Sequence, residues 1–131
     1  MKFPFRSKAL PMLFMGATLL TFQGPAYAHG GGKAEHGGVL QMVGETSFEL
    51  VVKTDGVELY VEDEGEETPS AGLTAKLTII NGTTATEATL DSTDTNMFVG
   101  KGLKIVRGSK VAVLVTNKAT MAQTGANFSI K

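Results

Sequence analysis

The chain reads as an all-β protein of short antiparallel strands, on three observations. Apolar and polar residues alternate with period 2 through most of the chain beyond residue 38. Turn-forming residues recur between the alternating runs, and no stretch sustains the 3.6-residue period of a helix.

Taken in order, Val39 to Val43 is a short apolar run. In Phe48-Glu49-Leu50-Val51-Val52-Lys53, residues Phe48, Leu50 and Val52 fall on one face. Thr54-Asp55-Gly56 then suits a tight hairpin, because Asp and Gly accept the backbone angles such turns need. Val57, Leu59 and Val61 alternate with Glu58, Tyr60 and Glu62. Leu73, Ala75, Leu77 and Ile79 alternate with Thr74, Lys76 and Thr78. Asn81-Gly82 is the strongest hairpin signal in the chain. Weaker runs follow at Thr86–Leu90 and Asn96–Gly100. Arg107-Gly108-Ser109 turns the chain into Val111–Thr116, nearly all apolar, which predicts a strand covered on both sides. Ala126, Phe128 and Ile130 close the chain, and Met121 to Gly125 is ambiguous. Seven or eight strands at this spacing predict an immunoglobulin-like antiparallel β-sandwich over residues 39–131, with a small closed barrel as the alternative.

Residues 1–28 read as a cleaved signal peptide. Lys2, Arg6 and Lys8 precede an apolar run from Ala9 to about Phe22, and Ala26-Tyr27-Ala28 fits the small-x-small cleavage rule. The run falls short of the ~20 residues that span a bilayer. An uncleaved amphipathic anchor is the competing reading, and the placement of Ala26-Tyr27-Ala28 argues against it. Export and a periplasmic location are the expectation, with His29 as the mature amino terminus. Three of the 12 basic residues and none of the 13 acidic ones lie in the leader, so the remainder carries four net negative charges.

Composition excludes several classes. With no Cys, a disulfide scaffold, a thiolate zinc site and an iron–sulfur protein are ruled out. An exported chain without disulfides must be held by packing alone, which favours sheet on sheet. The charge balance lacks the basic stripe of a nucleic-acid binder. No Gly-x-Ser-x-Gly elbow or phosphate-cradling Gly-Lys-Ser/Thr loop is present, and the two His lie in a Gly-rich segment rather than on a rigid element. A non-enzyme is expected.

That segment is the chief candidate site. It runs His29-Gly-Gly-Gly-Lys-Ala-Glu-His36-Gly-Gly and is expected to form a flexible tail over residues 29–38. A free amino terminus at His29 would chelate a metal through its amine and imidazole, with His36 as a second imidazole and Glu35 as an oxygen donor. Such a set suits a divalent transition metal, copper favoured and zinc possible. The bland alternative is an idle Gly-rich terminus. The acidic run Glu58, Glu62, Asp63, Glu64, Glu66 and Glu67 lacks the pattern of a calcium loop and reads as a solvated face. Met42 and Met97 sit in strand-like runs and are expected to fill core, whereas Met121 is expected to be exposed.

The segments His36-Gly37-Gly38-Val39, Phe48-Glu49-Leu50-Val51, Leu59-Tyr60-Val61-Glu62-Asp63-Glu64-Gly65 and Ala71-Gly72-Leu73-Thr74-Ala75-Lys76-Leu77-Thr78 resemble small periplasmic proteins of heavy-metal efflux loci. They are also similar to the N-terminal extensions of periplasmic adaptor subunits of resistance-nodulation-division metal exporters. The resemblance implies a β-sandwich working beside a metal exporter, with such an adaptor as partner. His36 carries over as the residue of the His-Gly-Gly opening. Where the family pattern often has Asp-His-Gly, this chain has Asp63-Glu64-Gly65, so Glu64 stands in for that His. A looser likeness to CopC-type copper carriers rests on His29 alone. The expectation is a periplasmic metal-binding accessory with His29, His36, Glu35 and Glu64 as candidate ligands. The rival is a metal-independent interaction module docking on an envelope or exporter partner.

Overall fold

A computed structural model describes residues 33–131. The leader, its cleavage site and His29 lie outside the described residues. Nine strands follow in order: β1 Val39–Val43, β2 Thr46–Lys53, β3 Gly56–Asp63, β4 Glu66–Glu67, β5 Leu73–Asn81, β6 Thr84–Ser92, β7 Met97–Lys101, β8 Lys110–Asn117 and β9 Gln123–Ser129. A 3-10 turn at Ser70–Gly72 leads into β5.

Every pairing is antiparallel, and the spatial order is β1-β2-β3-β7-β6-β5-β8-β9, with the two-residue β4 folded back on β3. The order β8-β5-β6-β7 is a Greek key: three consecutive strands, and a fourth that returns beside the first. β6 turns the corner between the two layers. It pairs with β5 over Thr84–Leu90 and with β7 through Asp91 and Ser92. The sandwich therefore curls nearly into a barrel, and the two architectures foreseen from sequence merge in one sheet. β1 and β9 approach each other at the closing seam without forming a ladder.

The alternation explains the core. Phe48, Leu50 and Leu59 from one layer meet Leu77, Val113 and Phe128 from the other, each 2% exposed or less. At roughly 25 cal/mol per Å² of apolar area removed from water, such positions dominate the drive to fold. Asn96 is buried, but its amide donates to Val61 C=O at 3.0 Å, while the Val61 N–H donates to the Asn96 C=O at 3.2 Å. That exchange keeps a polar residue at the β7 entrance satisfied.

Two expectations need correction. β8 is not covered on both faces: Val111, Val113 and Val115 are buried, whereas Leu114 is 38% exposed. Its apolar run reflects residue choice on a one-sided strand, since among the described residues no layer packs outside it. Met42 is 39% exposed and does not fill core, because β1 turns it to the outer face beside Ser47. Met97 is half-buried, and Met121 is exposed at a left-handed backbone position. Among the described residues no helix is long and apolar enough to cross a membrane.

Candidate functional site

The outer face of β2 carries a buried charge. Period 2 that turns Phe48 and Leu50 inward turns Glu49 outward, yet Glu49 is 4% exposed. What covers it is the segment just before β1. Glu49 Oε1 accepts from the Glu35 N–H at 3.0 Å, and Oε2 accepts from the His36 N–H and the Gly38 N–H, each at 2.8 Å. His36 Nδ1 lies 2.9 Å from Oε1. One carboxylate thus gathers four bonds from three residues, Glu35, His36 and Gly38, and residues 35–38 of the expected flexible tail are tied to the sheet.

The local sequence makes this possible. Gly37 takes a φ of +80°, where a side chain would be strained. A Cβ at Gly38 would run into the Leu50 carbonyl oxygen and the Val51 side chain. His36-Gly37-Gly38 is therefore a residue that bonds the carboxylate, one that bends the chain and one that lets it lie flat against β2.

The electrostatics are consistent. Burial pushes the Glu49 carboxyl up. The His36 ring N–H and the amides of Gly38, His36 and Glu35 outweigh that and hold it below its ordinary value of 4.5. An ionised carboxylate only accepts, so His36 Nδ1 carries the hydrogen and donates it. In the neutral imidazole the lone pair then resides on Nε2.

Tyr60 supplies the floor. It pairs with Glu49 across β2 and β3, which places both on the outer face. The His36 ring stacks on the Tyr60 ring at 3.6 Å between centroids, with planes 2° apart. The Tyr60 hydroxyl donates to Glu58 Oε1 at 2.9 Å, and Lys53 Nζ lies 3.4 Å from Glu58 Oε2. Burial, then the Glu58 hydrogen bond and charge, then the Glu49 charge push the phenol up to about 12. Beside it, Glu62 is raised by burial and by the charges of Glu35, Glu67 and Glu49, with His36 opposing. The ring of His36 sits in a negative field.

Of the four candidate ligands, the described residues bring His36 and Glu35 together, Glu35 through its backbone. Glu64 sits on the β3–β4 turn, four residues beyond Tyr60 and so about 13 Å along the strand. Its backbone N–H donates to the Glu45 C=O at 2.8 Å. Among the described residues no three His, Asp or Glu side chains are grouped to hold a metal ion. Sequence reasoning missed Glu49 and Tyr60, taken only as outward polar positions. The available signal was Val51, which shares the Glu49 face and shows that something covers it. Comparison with protein-family models, curated proteins and solved structures finds no match for the chain.

Proposed function

We propose that this protein is a non-catalytic, exported metal-binding accessory of a heavy-metal efflux or resistance system, with His36 as its built ligand. The observation that carries this reading is the His36–Glu49 bond. A carboxylate on one ring nitrogen fixes the tautomer, aims the ring and raises the basicity of the other nitrogen, as it does behind metal-bound imidazoles. Here the carboxylate is buried, the ring lies on Tyr60 and 39% of the His36 side chain is open to solvent.

One imidazole does not retain an ion. The second nitrogen donor is His29, through its imidazole and, where cleavage follows Ala28, its α-amine. Six residues lie between it and His36, ample chain for return. Glu35 and Glu64 are oxygen donors of lesser weight. Nitrogen donors favour copper and accept zinc. A site with one donor in place and others arriving from the chain binds transiently, as suits a cargo handed to an exporter adaptor.

Isothermal titration of the processed protein with Cu(II) and Zn(II) tests this. His36→Ala should abolish tight binding. Glu49→Gln should weaken it by about 10- to 100-fold while leaving every ligand present. Affinity should fall in acid as the donors take up protons. A processed protein that ignores both ions, or a His29→Ala/His36→Ala variant that binds equally well, defeats the proposal. A curve sensitive to salt and flat with pH would place the ion at the carboxylates instead.

The metal-independent docking module is favoured by one feature. Val39, Met42 and Val43 leave β1 with three hydrophobic side chains more than a third exposed. Partner binding that survives a chelator supports that role.

A further inference from the structure

One end of the barrel departs from the inward-apolar rule. Along β5 the core-facing positions run Leu73, Ala75, Leu77 and Ile79, and the next in step is Asn81. Across the hairpin Thr86 pairs with Ile79 and Thr84 with Asn81, so both threonines share that inner face. Ser109, just before β8, is in step with buried Val111. Ile79, Asn81, Thr84, Thr86 and Ser109, with Lys104 and Val106, line an open cavity of about 260 Å³.

Ser109 is the telling member. It is 1% exposed, and its hydroxyl has no hydrogen-bond partner among the described residues. Its backbone is already committed: the N–H donates to the Val106 C=O at 3.1 Å, and the C=O accepts from the Ile130 N–H at 2.9 Å. A buried polar group left unpaired is costly and rare, and it calls for an explanation. Among the described residues no acidic side chain lines the cavity and Lys104 is its single charge, and Arg107 and Lys110 lie on the same stretch of chain.

The geometry points to this cavity as a binding site for a small organic carboxylate. The Lys104 ammonium matches the charge. The Ser109, Thr84 and Thr86 hydroxyls and the Asn81 amide offer hydrogen-bond donors, and Ile79 and Val106 form an apolar wall for a short hydrocarbon part. The volume lies below the roughly 300–1,000 Å³ of pockets for drug-sized ligands, which limits the ligand to a few heavy atoms. The cavity shares no residue with the His36 site, so the two proposals stand or fall separately.

Amide-resolved NMR titration of the ¹⁵N-labelled protein, purified as the cell processes it, decides the matter. The probes are butyrate, its neutral isostere butyramide and inorganic phosphate. Butyrate should shift the amides of Lys104, Ser109, Thr84 and Thr86 saturably at millimolar concentration, and butyramide should bind at least about tenfold more weakly. Lys104→Met and Ser109→Ala should each weaken butyrate binding about tenfold. Ser109→Ala should leave the melting temperature equal or higher, because it removes an unpaired hydroxyl. No response to butyrate overturns the site. Equal binding of butyramide, binding of phosphate in place of butyrate, or butyrate binding indifferent to Ser109→Ala overturns it as well.

Discussion

Glu49 shows how one side chain can decide the placement of a whole segment. Four hydrogen bonds converge on it from residues 35–38, and each is strengthened by its charge. Glu49→Gln keeps the shape but sets an NH₂ against backbone donors. It should cost about 2–3 kcal/mol, read by urea denaturation, with faster hydrogen exchange at Glu35, His36 and Gly38. A carboxyl held below its ordinary value stabilises the fold above pH 4.5 and loses that contribution as pH falls through its lowered native value. Exchange protection of residues 35–38 should therefore collapse in acid, and Glu49→Gln should lack that transition. Tyr60 works in the opposite sense. Its phenol is raised from 10.0 to about 12, so its contribution is complete below pH 10 and drains away as pH rises toward 12. Ultraviolet titration should show tyrosinate at Tyr60 forming near pH 12; ionisation near 10 would mean that the ring is not packed as described. The His was legible from its residue type alone. Its partner was not, because a Glu between Phe48 and Leu50 looks like any outward strand position until the covering segment is placed over it.

At the scale of elements, the strands were legible wherever alternation was clean, as in β2, β3 and β5, because inward and outward faces differ in chemistry. β4 was not, since two glutamates have no period to read. β8 misled for the converse reason: an apolar residue on an outer face leaves no mark in the sequence of the absence of a covering layer. The β3–β4 turn offers a test. Asp63 pairs with Glu66, so Glu64 and Gly65 form the two-residue loop, with φ of +53° and +81°. Positive φ at both centres is the type I′ turn, which prefers Asn-Gly. Glu64 is thus a candidate ligand at a strained backbone position. Glu64→Asn should raise stability by about 0.4–1 kcal/mol, measured as a shift in denaturation midpoint. A loss of stability would show that the Glu64 side chain contributes something the turn alone does not need.

For the molecule as a whole, the all-β class was legible from turn spacing and period, whereas the strand order was not. Nothing local in the sequence says that β3 will lie beside β7, or β5 beside β8; those neighbours are chosen by which inner faces fit across the core. The seam between β1 and β9 has a mechanical corollary. Among the described residues β1 is hydrogen-bonded on one side only, to β2, and its first residue Val39 pairs with Leu50. Tension applied at the amino end would load the Glu49 clasp first. It would then open the β1–β2 ladder rung by rung from Val39 rather than shearing all rungs together. Optical-trap extension should accordingly show a small, low-force release of β1 ahead of the main rupture, and Glu49→Gln should bring that release to lower force. A single rupture with no early release would mean that β9 grips β1 across the seam more firmly than its missing ladder implies.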